Sequence, residues 1–269
     1  MSAIIAVANQ KGGVGKTTTV VSLGHYFARA GRRVLIVDFD VQGHAATCLG
    51  KAKGRGLFDL LVNEDPLGSV AKPARQGLDL VASDKSTERI KLFLNDVIHR
   101  EVYVAEHLEA ARAAYDLVLL DLAPGSDILH VGALAACDWF LVPARMGLLE
   151  HDGVNEVLNT VRALARIPGM QLPGLVGVLP TMFERVTRET EEARRRLAEQ
   201  IGATAILPPV PSDTHMREAI ARGMTIWEYA PESAAAIGYA AHGAAAVNGR
   251  SRVGGYLHLG ELIDALVGG

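Results

Sequence analysis

The sequence has few cysteines, no long hydrophobic run and no strong excess of charge, and each absence excludes a class of protein. Only two of its 269 residues are cysteines, Cys48 and Cys137, which are too few for a disulfide framework and are typical of a reducing compartment. No stretch reaches the roughly 18 consecutive apolar residues of a membrane span. Because the net charge is only −3, any nucleic-acid-binding surface must be local. We therefore expect a cytoplasmic protein.

Hydrophobic runs of strand length recur along the chain, and helical segments separate most of them. The runs cover residues 4–8, 34–37, 78–82, 117–120, 139–142, 175–179 and 205–207. Continuous apolar runs indicate strands buried on both faces, and intervening helices require parallel crossovers. The sequence therefore predicts one α/β domain over residues 1–269, with a doubly wound, mostly parallel sheet and helices on both faces. A helical C-terminal segment is expected from about residue 231, and it includes the alanine-rich residues 234–246.

A glycine-rich segment, KGGVGKTT at residues 11–18, follows the first apolar run directly. Glycines allow successive backbone N–H groups to turn inward around phosphate oxygens, and the N-terminus of a following helix adds its positive dipole end. Lys16 supplies a point charge, and the Thr17 hydroxyl can ligate Mg²⁺. A turn with two solvated lysines is the alternative, but strand, loop and helix signals coincide here. The residues expected to bind the nucleotide are Gly12, Gly13, Val14, Gly15, Lys16, Thr17 and Thr18.

The strict pattern G-x-x-x-x-G-K-[ST] fails, because Gln10 stands where the first glycine is required. With its additional early lysine, Lys11, the segment instead resembles the deviant Walker A loop of the ParA/MinD family of ATPases, closest to the ParA (Soj-like) partition ATPases. The resemblance implies a P-loop NTPase fold that binds ATP and Mg²⁺. It also implies that Lys11 reaches across a dimer interface to the phosphates of the partner's ATP.

Two acidic segments match further motifs of that family. Residues 38–43, DFDVQG, resemble its switch segment D-x-D-P-Q-G, which implies that Asp40 orients the attacking water. Asp121 follows four apolar residues in the Walker B form and is expected to hold Mg²⁺ opposite Thr17, since Mg²⁺ takes few protein ligands. The alternatives are acids that cap a strand end and an Asp121 without a metal role.

Later segments resemble the parts of the family that approach the nucleotide base. Residues 179–183, LPTMF, imply that Met182 lies near the adenine, and residues 210–219, VPSDTHMREA, imply that Pro211 touches the base. Asp152 aligns with a glutamate at the family's dimer interface, and a helix N-cap is an equal alternative.

The resemblance covers nearly the whole chain and implies a functional cycle. ATP binding would assemble a sandwich homodimer that binds DNA non-specifically and is nucleoid-associated, and a ParB-like partner would stimulate hydrolysis to position plasmid, chromosome or other cargo. Ser212 replaces an arginine that contributes to DNA binding in ParA relatives. DNA contacts are therefore expected from Arg185, Arg188 and Arg217. Residues 194–196 are expected to form a solvated charged face with the nearby glutamates.

Two other functions remain open from the sequence. A MinD-like membrane-cycling ATPase would use the apolar spacing of residues 256–267, but Glu261 and Asp264 disfavour contact with anionic lipid. We therefore expect this helix to dock on the body or on a partner, and we expect no membrane binding. A nitrogenase-like reductase would need cluster-ligating cysteines at a dimer axis, and the positions of Cys48 and Cys137 disfavour it.

Overall fold

The computed structural model describes residues 2–146, 151–184, 187–240 and 252–268, and their main feature is a seven-stranded sheet. The strand order is β3-β4-β2-β5-β1-β6-β7, and every neighbouring pair is parallel except β3 and β4. The strands of this sheet are β1 Ala3–Val7, β2 Val34–Asp38, β3 Lys72–Arg75, β4 Leu78–Val81, β5 Leu117–Asp121, β6 Trp139–Ala144 and β7 Gly174–Pro180. A separate ribbon pairs β8 Tyr239–Ala240 with β9 Arg252–Val253.

Helices connect the strands. They are α1 Lys16–Arg29, α2 His44–Cys48, α3 Gly56–Leu61, α4 Leu67–Val70, α5 Thr87–Asn95, α6 Arg100–Ala114, α7 Ile128–Ala136, α8 His151–Leu164, α9 Arg188–Ile201, α10 Thr214–Ala221, α11 Ile226–Tyr229, α12 Ala234–Ile237 and α13 Gly255–Val267. A 3₁₀ turn covers Ala203–Ala205.

The sheet separates two hydrophobic cores, which is why its central strands are apolar up to the aspartates that end β2 and β5. Ile4 and Ala6 of β1 belong to the core on one face, together with residues of α6 and α7. Ile5 and Val7 belong to the core on the other face, with residues of α1 and α13. Successive side chains of a strand point to opposite faces, so a strand covered on both sides must be apolar throughout. The predicted doubly wound, mostly parallel fold is confirmed.

The prediction of a strand at residues 205–207 is wrong. The chain there leaves a 3₁₀ turn, Ala203–Ala205, and makes one isolated bridge between Ile206 and Val178 before it reaches Pro208 and Pro209. Prolines have no N–H to donate, so this segment cannot extend a ladder.

Strand β3, at the edge of the sheet, does not correspond to any of the apolar runs in the sequence. Its sequence KPAR pairs antiparallel with β4 at the edge of the sheet. Lysine and proline are typical of edge strands, because they discourage pairing with another chain.

The prediction of a helix over residues 234–246 holds for residues 234–237 and is wrong for residues 238–240. Helix α12 ends at Ile237, Gly238 follows with a φ of 79°, and the chain enters β8. A Cβ on Gly238 would lie 2.3 Å from the carbonyl oxygen of Val253, so the ribbon requires glycine there. Residues 241–246 lie outside the described residues.

The C-terminal helix α13 docks on the body of the protein, as expected. Its buried residues include Tyr256, Leu259 and Ile263, and they belong to the core that also contains α1. Gly260 allows close approach to α1, because a Cβ there would lie 2.3 Å from a ring carbon of Tyr26. Asp264 pairs with Arg32 at the rim. No helix among the described residues is long and apolar enough to cross a membrane.

Candidate nucleotide-binding site

The glycine-rich segment and both acidic segments meet at the carboxyl ends of three adjacent strands. Asp121, the last residue of β5, is in register with Val7 of β1 on one side and with Asp38 of β2 on the other. A cleft of about 630 Å³ opens beyond these strand ends. Open α/β sheets bind their ligands at this position. The residues that line the cleft are Gly12, Gly13, Gly15, Lys16, Thr17, Thr18, Asp40, Val41, Gln42, His44, Thr47, Cys48, Lys91, Ala123, Pro124, Met182 and Ile220.

The P-loop has the backbone shape that an anion cradle requires. Gly13 and Gly15 have φ values of 72° and 87°, which side-chain-bearing residues rarely adopt. Helix α1 then starts at Lys16 without a side-chain cap, so its first N–H groups remain available to an anion. The Thr181 hydroxyl donates to the carbonyl oxygen of Val14 at 2.8 Å and ties the loop to the end of β7.

Lys16 lies inside this cradle with 7% of its surface exposed. Its Nζ donates a hydrogen bond to the carbonyl oxygen of Lys11 at 2.9 Å. Burial lowers the pKa of Lys16, and the negative charges of Asp121 and Asp40 oppose that shift. The ammonium group is therefore close to the position where phosphate oxygens would lie.

Asp121 and Asp38 form a buried carboxylate pair beneath the P-loop. Asp38 accepts hydrogen bonds from the backbone N–H groups of Asp40 and Ala45, at 2.9 and 3.1 Å. Burial raises the pKa of Asp38 to about 7. Burial, followed by the charge of Asp38, raises the pKa of Asp121 well above its usual value, while the Thr17 hydroxyl and Lys16 oppose the rise. Within the described part of the chain, neither carboxylate oxygen of Asp121 has a hydrogen bond of ordinary distance and angle, although the Thr17 hydroxyl lies near enough to lower the pKa.

These features fit a magnesium ion. A buried carboxylate without partners is costly unless a cation or a proton compensates it, and Thr17 and Asp121 supply the hard oxygen ligands that Mg²⁺ prefers. The described residues contain no group of three or more His, Cys, Asp or Glu side chains placed to hold a metal. An ion at this position would therefore depend on phosphate oxygens and water for its remaining ligands.

Asp40 lies at the edge of the cleft on a well-braced loop. Its Oδ1 accepts from the N–H of Gln42 at 2.9 Å, and its carbonyl oxygen accepts from the Ser83 hydroxyl at 2.5 Å. The imidazole Nδ1 of His44 is 4.0 Å from Asp40 Oδ2. Gly43, with a φ of 60°, passes so close to Ser83 that a Cβ would lie 2.6 Å from its carbonyl oxygen. The carboxylate of Asp40 thus faces the cleft from a loop that the neighbouring segment supports.

Asn9 supports the base of the P-loop, and our sequence reasoning missed it. Its side chain donates to the carbonyl oxygen of Pro143 at 2.7 Å and accepts from the N–H of Lys11 at 2.9 Å. Gly153 of α8 packs against it, because a Cβ there would lie 2.3 Å from Asn9 Oδ1. A polar residue directly after a buried strand was the available signal.

Asp152 lies in the first turn of α8, so it is not the residue before the helix that would act as N-cap.

A second cavity, of about 320 Å³, adjoins the cleft and shares Gly15, Thr18, Met182 and Ile220 with it. Met182 and Pro211, both expected near the base, line this cavity. Met182 has an unusual positive φ of 49°. Phe183 forms a bridge with Pro211, which joins the two base-side segments. Tyr256 of α13 also lines this cavity, and its hydroxyl is 3.2 Å from the Thr19 hydroxyl of α1.

Of the three arginines expected to contact DNA, two lie among the described residues. Arg185 lies outside them. Arg188 is the exposed first residue of α9, whereas Arg217 lines the second cavity. The charged face on α9 is confirmed by ion pairs of Arg194 with Glu191, at 3.8 Å, and of Arg196 with Glu192, at 2.5 Å.

Both cysteines are buried as free thiols. Burial raises the pKa of each thiol to about 12, so neither is a ready thiolate ligand. This environment disfavours the reductase alternative.

The model of a family described as "AAA domain" matches residues 2–171. The sporulation initiation inhibitor protein Soj of Bacillus subtilis is 34% identical over 241 residues, which cover 87% of this chain and 93% of Soj. The chromosome-partitioning protein ParA of Caulobacter vibrioides is 32% identical over 84% of this chain and 86% of its own length.

Solved structures share the fold. Apo McdA from Cyanothece superposes with a TM-score of 0.80 at 19% identity, covering 86% of this chain and 94% of McdA. The septum site-determining protein MinD of Pyrococcus horikoshii, solved with Mg-ADP, has a TM-score of 0.75 at 20% identity and covers 100% of this chain and 98% of its own. At these identities the likeness establishes the fold alone.

Proposed function

The chain belongs to the ParA/MinD family of P-loop ATPases, close to its Soj and ParA members, and from this premise we propose that it is a Mg²⁺-dependent ATPase that dimerises on ATP. The ATP-bound dimer would bind DNA without sequence preference, and a ParB-like protein would stimulate hydrolysis and release. The cycle would segregate or position a plasmid, a chromosome or other cargo.

The observation that carries the proposal is the buried pair Asp38 and Asp121 beside Lys16. Two carboxylates with raised pKa values are unfavourable in the isolated chain, and they lie directly below an uncapped helix N-terminus that attracts phosphate. A Mg²⁺–nucleotide complex would supply both the cation for the carboxylates and the anion for the helix.

The residues of this chain have separate tasks in the proposed hydrolysis. Lys16 and the backbone N–H groups of the P-loop bind and neutralise the phosphates. Thr17 and Asp121 would hold Mg²⁺, which neutralises charge that develops on the phosphate oxygens. Asp40 faces the cleft from its braced loop and would hold a water in line with the terminal phosphate.

Dimerisation would complete the site. Lys11 lies at the outer turn of the P-loop, its backbone fixed by Asn9 and by Lys16. The resemblance to ParA proteins supports a role for its side chain on the partner's nucleotide. A dimer would also duplicate Arg188 and Arg217, so each copy adds phosphate contacts to a composite DNA surface.

The test measures ATP hydrolysis, dimerisation and DNA binding on one preparation. We expect Mg²⁺-dependent turnover, a dimer in Mg-ATP by light scattering, and DNA binding with ATP that weakens as salt rises. An Asp40→Ala dimer separates binding from turnover. Substituting Arg188 and Arg185 by alanine should weaken DNA binding equally on all sequences. The slope of log K against log salt concentration should become shallower by about 0.9 for each phosphate contact that is lost.

Two outcomes would contradict the proposal. If wild-type protein neither binds nor hydrolyses ATP, the nucleotide site is wrong. If the ATP-bound dimer forms but shows no DNA affinity at low salt, the DNA step is wrong. Co-sedimentation of that dimer with anionic vesicles would then favour the MinD-like alternative.

A further inference from the structure

Lys91 also lines the side of the cleft proposed to bind phosphate, and no motif drew attention to it. It lies on α5, far in sequence from the P-loop, yet its side chain borders the same cleft as Gly12 and Gly13. Its Nζ is 2.8 Å from Asp127 Oδ2 and 2.9 Å from Glu88 Oε2. Three-quarters of the Lys91 side chain is buried, because its exposed fraction is 25%.

Asp127 connects this lysine to the segment that follows Asp121. It is the N-cap of α7, and its Oδ1 accepts a hydrogen bond from the N–H of His130 at 3.0 Å. One carboxylate therefore holds the start of α7 with one oxygen and Lys91 with the other. Burial opposes ionisation of Asp127, but its hydrogen bonds to Lys91 and to the His130 N–H keep its pKa below the usual value.

The loop between Asp121 and Asp127 is thereby fixed at both ends. At its start, the N–H of Leu122 donates to the carbonyl oxygen of Val7 at 3.2 Å. In its middle, Ala123 and Pro124 line the cleft, and Pro124 comes within 4.0 Å of the position a Cβ would take on Gly12. At its end, the contact between Asp127 and Lys91 joins the loop to α5.

We propose that Lys91 is a positioning residue for ATP hydrolysis, which holds the loop of residues 122–126 against the P-loop through its ion pair with Asp127. The inference rests on the proposed ATPase function. The loop continues directly from Asp121, so a shift of its far end moves the wall of the phosphate cleft. Errors of about 1 Å in such walls can cost about 100-fold in rate. A partly buried pair is also screened less by salt than a surface pair.

The experiment compares Lys91→Met, Asp127→Asn and the double variant with wild type. Asparagine keeps the N-cap of α7 and removes only the charge. We expect kcat to fall between about threefold and thirtyfold in each single variant, with KM and affinity for a fluorescent ATP analogue changed by less than about twofold. The double variant should be no slower than the slower single variant, because the same pair is already broken.

Glu88→Gln is the matched control. Glu88 is the other partner of Lys91, but it is 64% exposed and lies on the helix of Lys91 itself. This variant should keep the wild-type kcat. Lys91→Arg, which keeps the charge, should retain at least about half of it. Amide exchange of residues 122–131 without nucleotide should be faster in Lys91→Met than in Glu88→Gln.

Each contrary result overturns the inference in its own way. A loss of ATP affinity in Lys91→Met that matches its loss of kcat would make Lys91 a phosphate ligand. Additive losses in the double variant would make the two residues independent, and unchanged kcat and exchange would leave the pair without a role. Failure of the proposed function would look different, since wild-type protein itself would then not hydrolyse ATP.

Discussion

The side of the cleft proposed to bind phosphate, around the P-loop, and the side proposed to bind the base, around Met182 and Pro211, are built in different ways. The phosphate side uses three short segments that directly follow β1, β2 and β5, which are neighbours in the sheet. The base side combines the end of β7, the start of α10 and Tyr256 of α13, which are far apart in the sequence. The phosphate side is held largely by backbone geometry and buried charge. The base side is held by packing.

The difference indicates where binding energy should reside. Charged groups in a largely buried cradle act strongly on phosphate, because the low dielectric of the site screens them little. Met182 and Pro211, the residues expected to contact the base, offer apolar contact, and Met182 is 41% exposed. We therefore expect the phosphate side to control affinity and hydrolysis, and the base side to adjust affinity and the choice of base.

The largest effect should come from Lys16→Ala, which removes the buried charge of the cradle. We expect ATP affinity to fall by at least about 100-fold in a fluorescent ATP titration. Lys11→Ala should keep affinity within about threefold but lose the ATP-dependent dimer in light scattering, since its target is the partner's nucleotide. Lys51→Ala, an exposed lysine, is the control. Equal loss of affinity in the Lys11 and Lys16 variants would refute the role of Lys11 across the interface.

Asp40→Ala should separate hydrolysis from binding within the phosphate side. We expect kcat to fall about 100-fold while ATP affinity is retained, because only the positioning of water is lost. Size-exclusion chromatography in Mg-ATP should still show a dimer. Asp96→Ala, at the exposed residue that follows the end of α5, should match wild type. A monomeric Asp40→Ala protein under conditions where wild type dimerises would make Asp40 structural.

Met182→Ala should show that the base side contributes less to ATP affinity than the phosphate side does. We expect ATP affinity to fall about threefold, the effect of partly exposed apolar contact. Competition with inorganic tripolyphosphate should be unchanged, since that ligand reaches only the phosphate side. If the affinity for tripolyphosphate falls to the same extent as the affinity for ATP, Met182 acts through the P-loop, and the two sides are not separate.

The smallest effect concerns stability without ligand. The folded-state pKa of Asp38 is raised to about 7 from an ordinary value of 3.8, so its contribution to stability is present below about pH 4 and is lost as pH rises towards 7. The unpartnered Asp121 should behave in the same direction. Asp121→Asn should therefore raise the Tm of nucleotide-free protein at pH 8 by at least about 2 °C, and less at pH 5.

The same thermal melts supply the control for Asp121→Asn. Wild-type protein should gain stability from Mg-ATP, because a ligand that binds only the folded state stabilises it. The variant should lose most of that gain. A lower Tm at pH 8 without ligand would show that the charge of Asp121 is already compensated in the nucleotide-free protein.

Most residues that the sequence predicts for phosphate binding lie at or beside one cleft, because local spacing places them at neighbouring strand ends. The glycines, Lys16, Asp40 and Asp121 each lie within a few residues of a strand end, so a pattern read along the chain is enough. It missed Asn9, Ser83, Gly153 and Lys91, whose partners lie between 2 and 144 residues away along the chain. On the base side, the resemblance identified Met182 and Pro211 but not Tyr256.

The differences between the predicted and the observed secondary structure also have physical reasons. Residues 205–207 are apolar, but Pro208 and Pro209 remove the donors that a strand needs. Strand β3 is polar, because an edge strand need not be buried on both faces. The alanines after Ile237 did not extend α12, since the tight contact at Gly238 redirects the chain into the ribbon.

By itself, the sequence determined where β1, β2, β4, β5, β6 and β7 lie along the chain, the burial of the central strands and the glycine-rich loop after β1. These depend on apolar periodicity and on backbone freedom within a few residues. Only the tertiary structure decided that Asp38 lies beside Asp121, that Lys91 reaches the cleft and that α13 supports α1 and lines the base side. Those contacts join residues from distant parts of the chain, and packing of the sheet and helices brings them together.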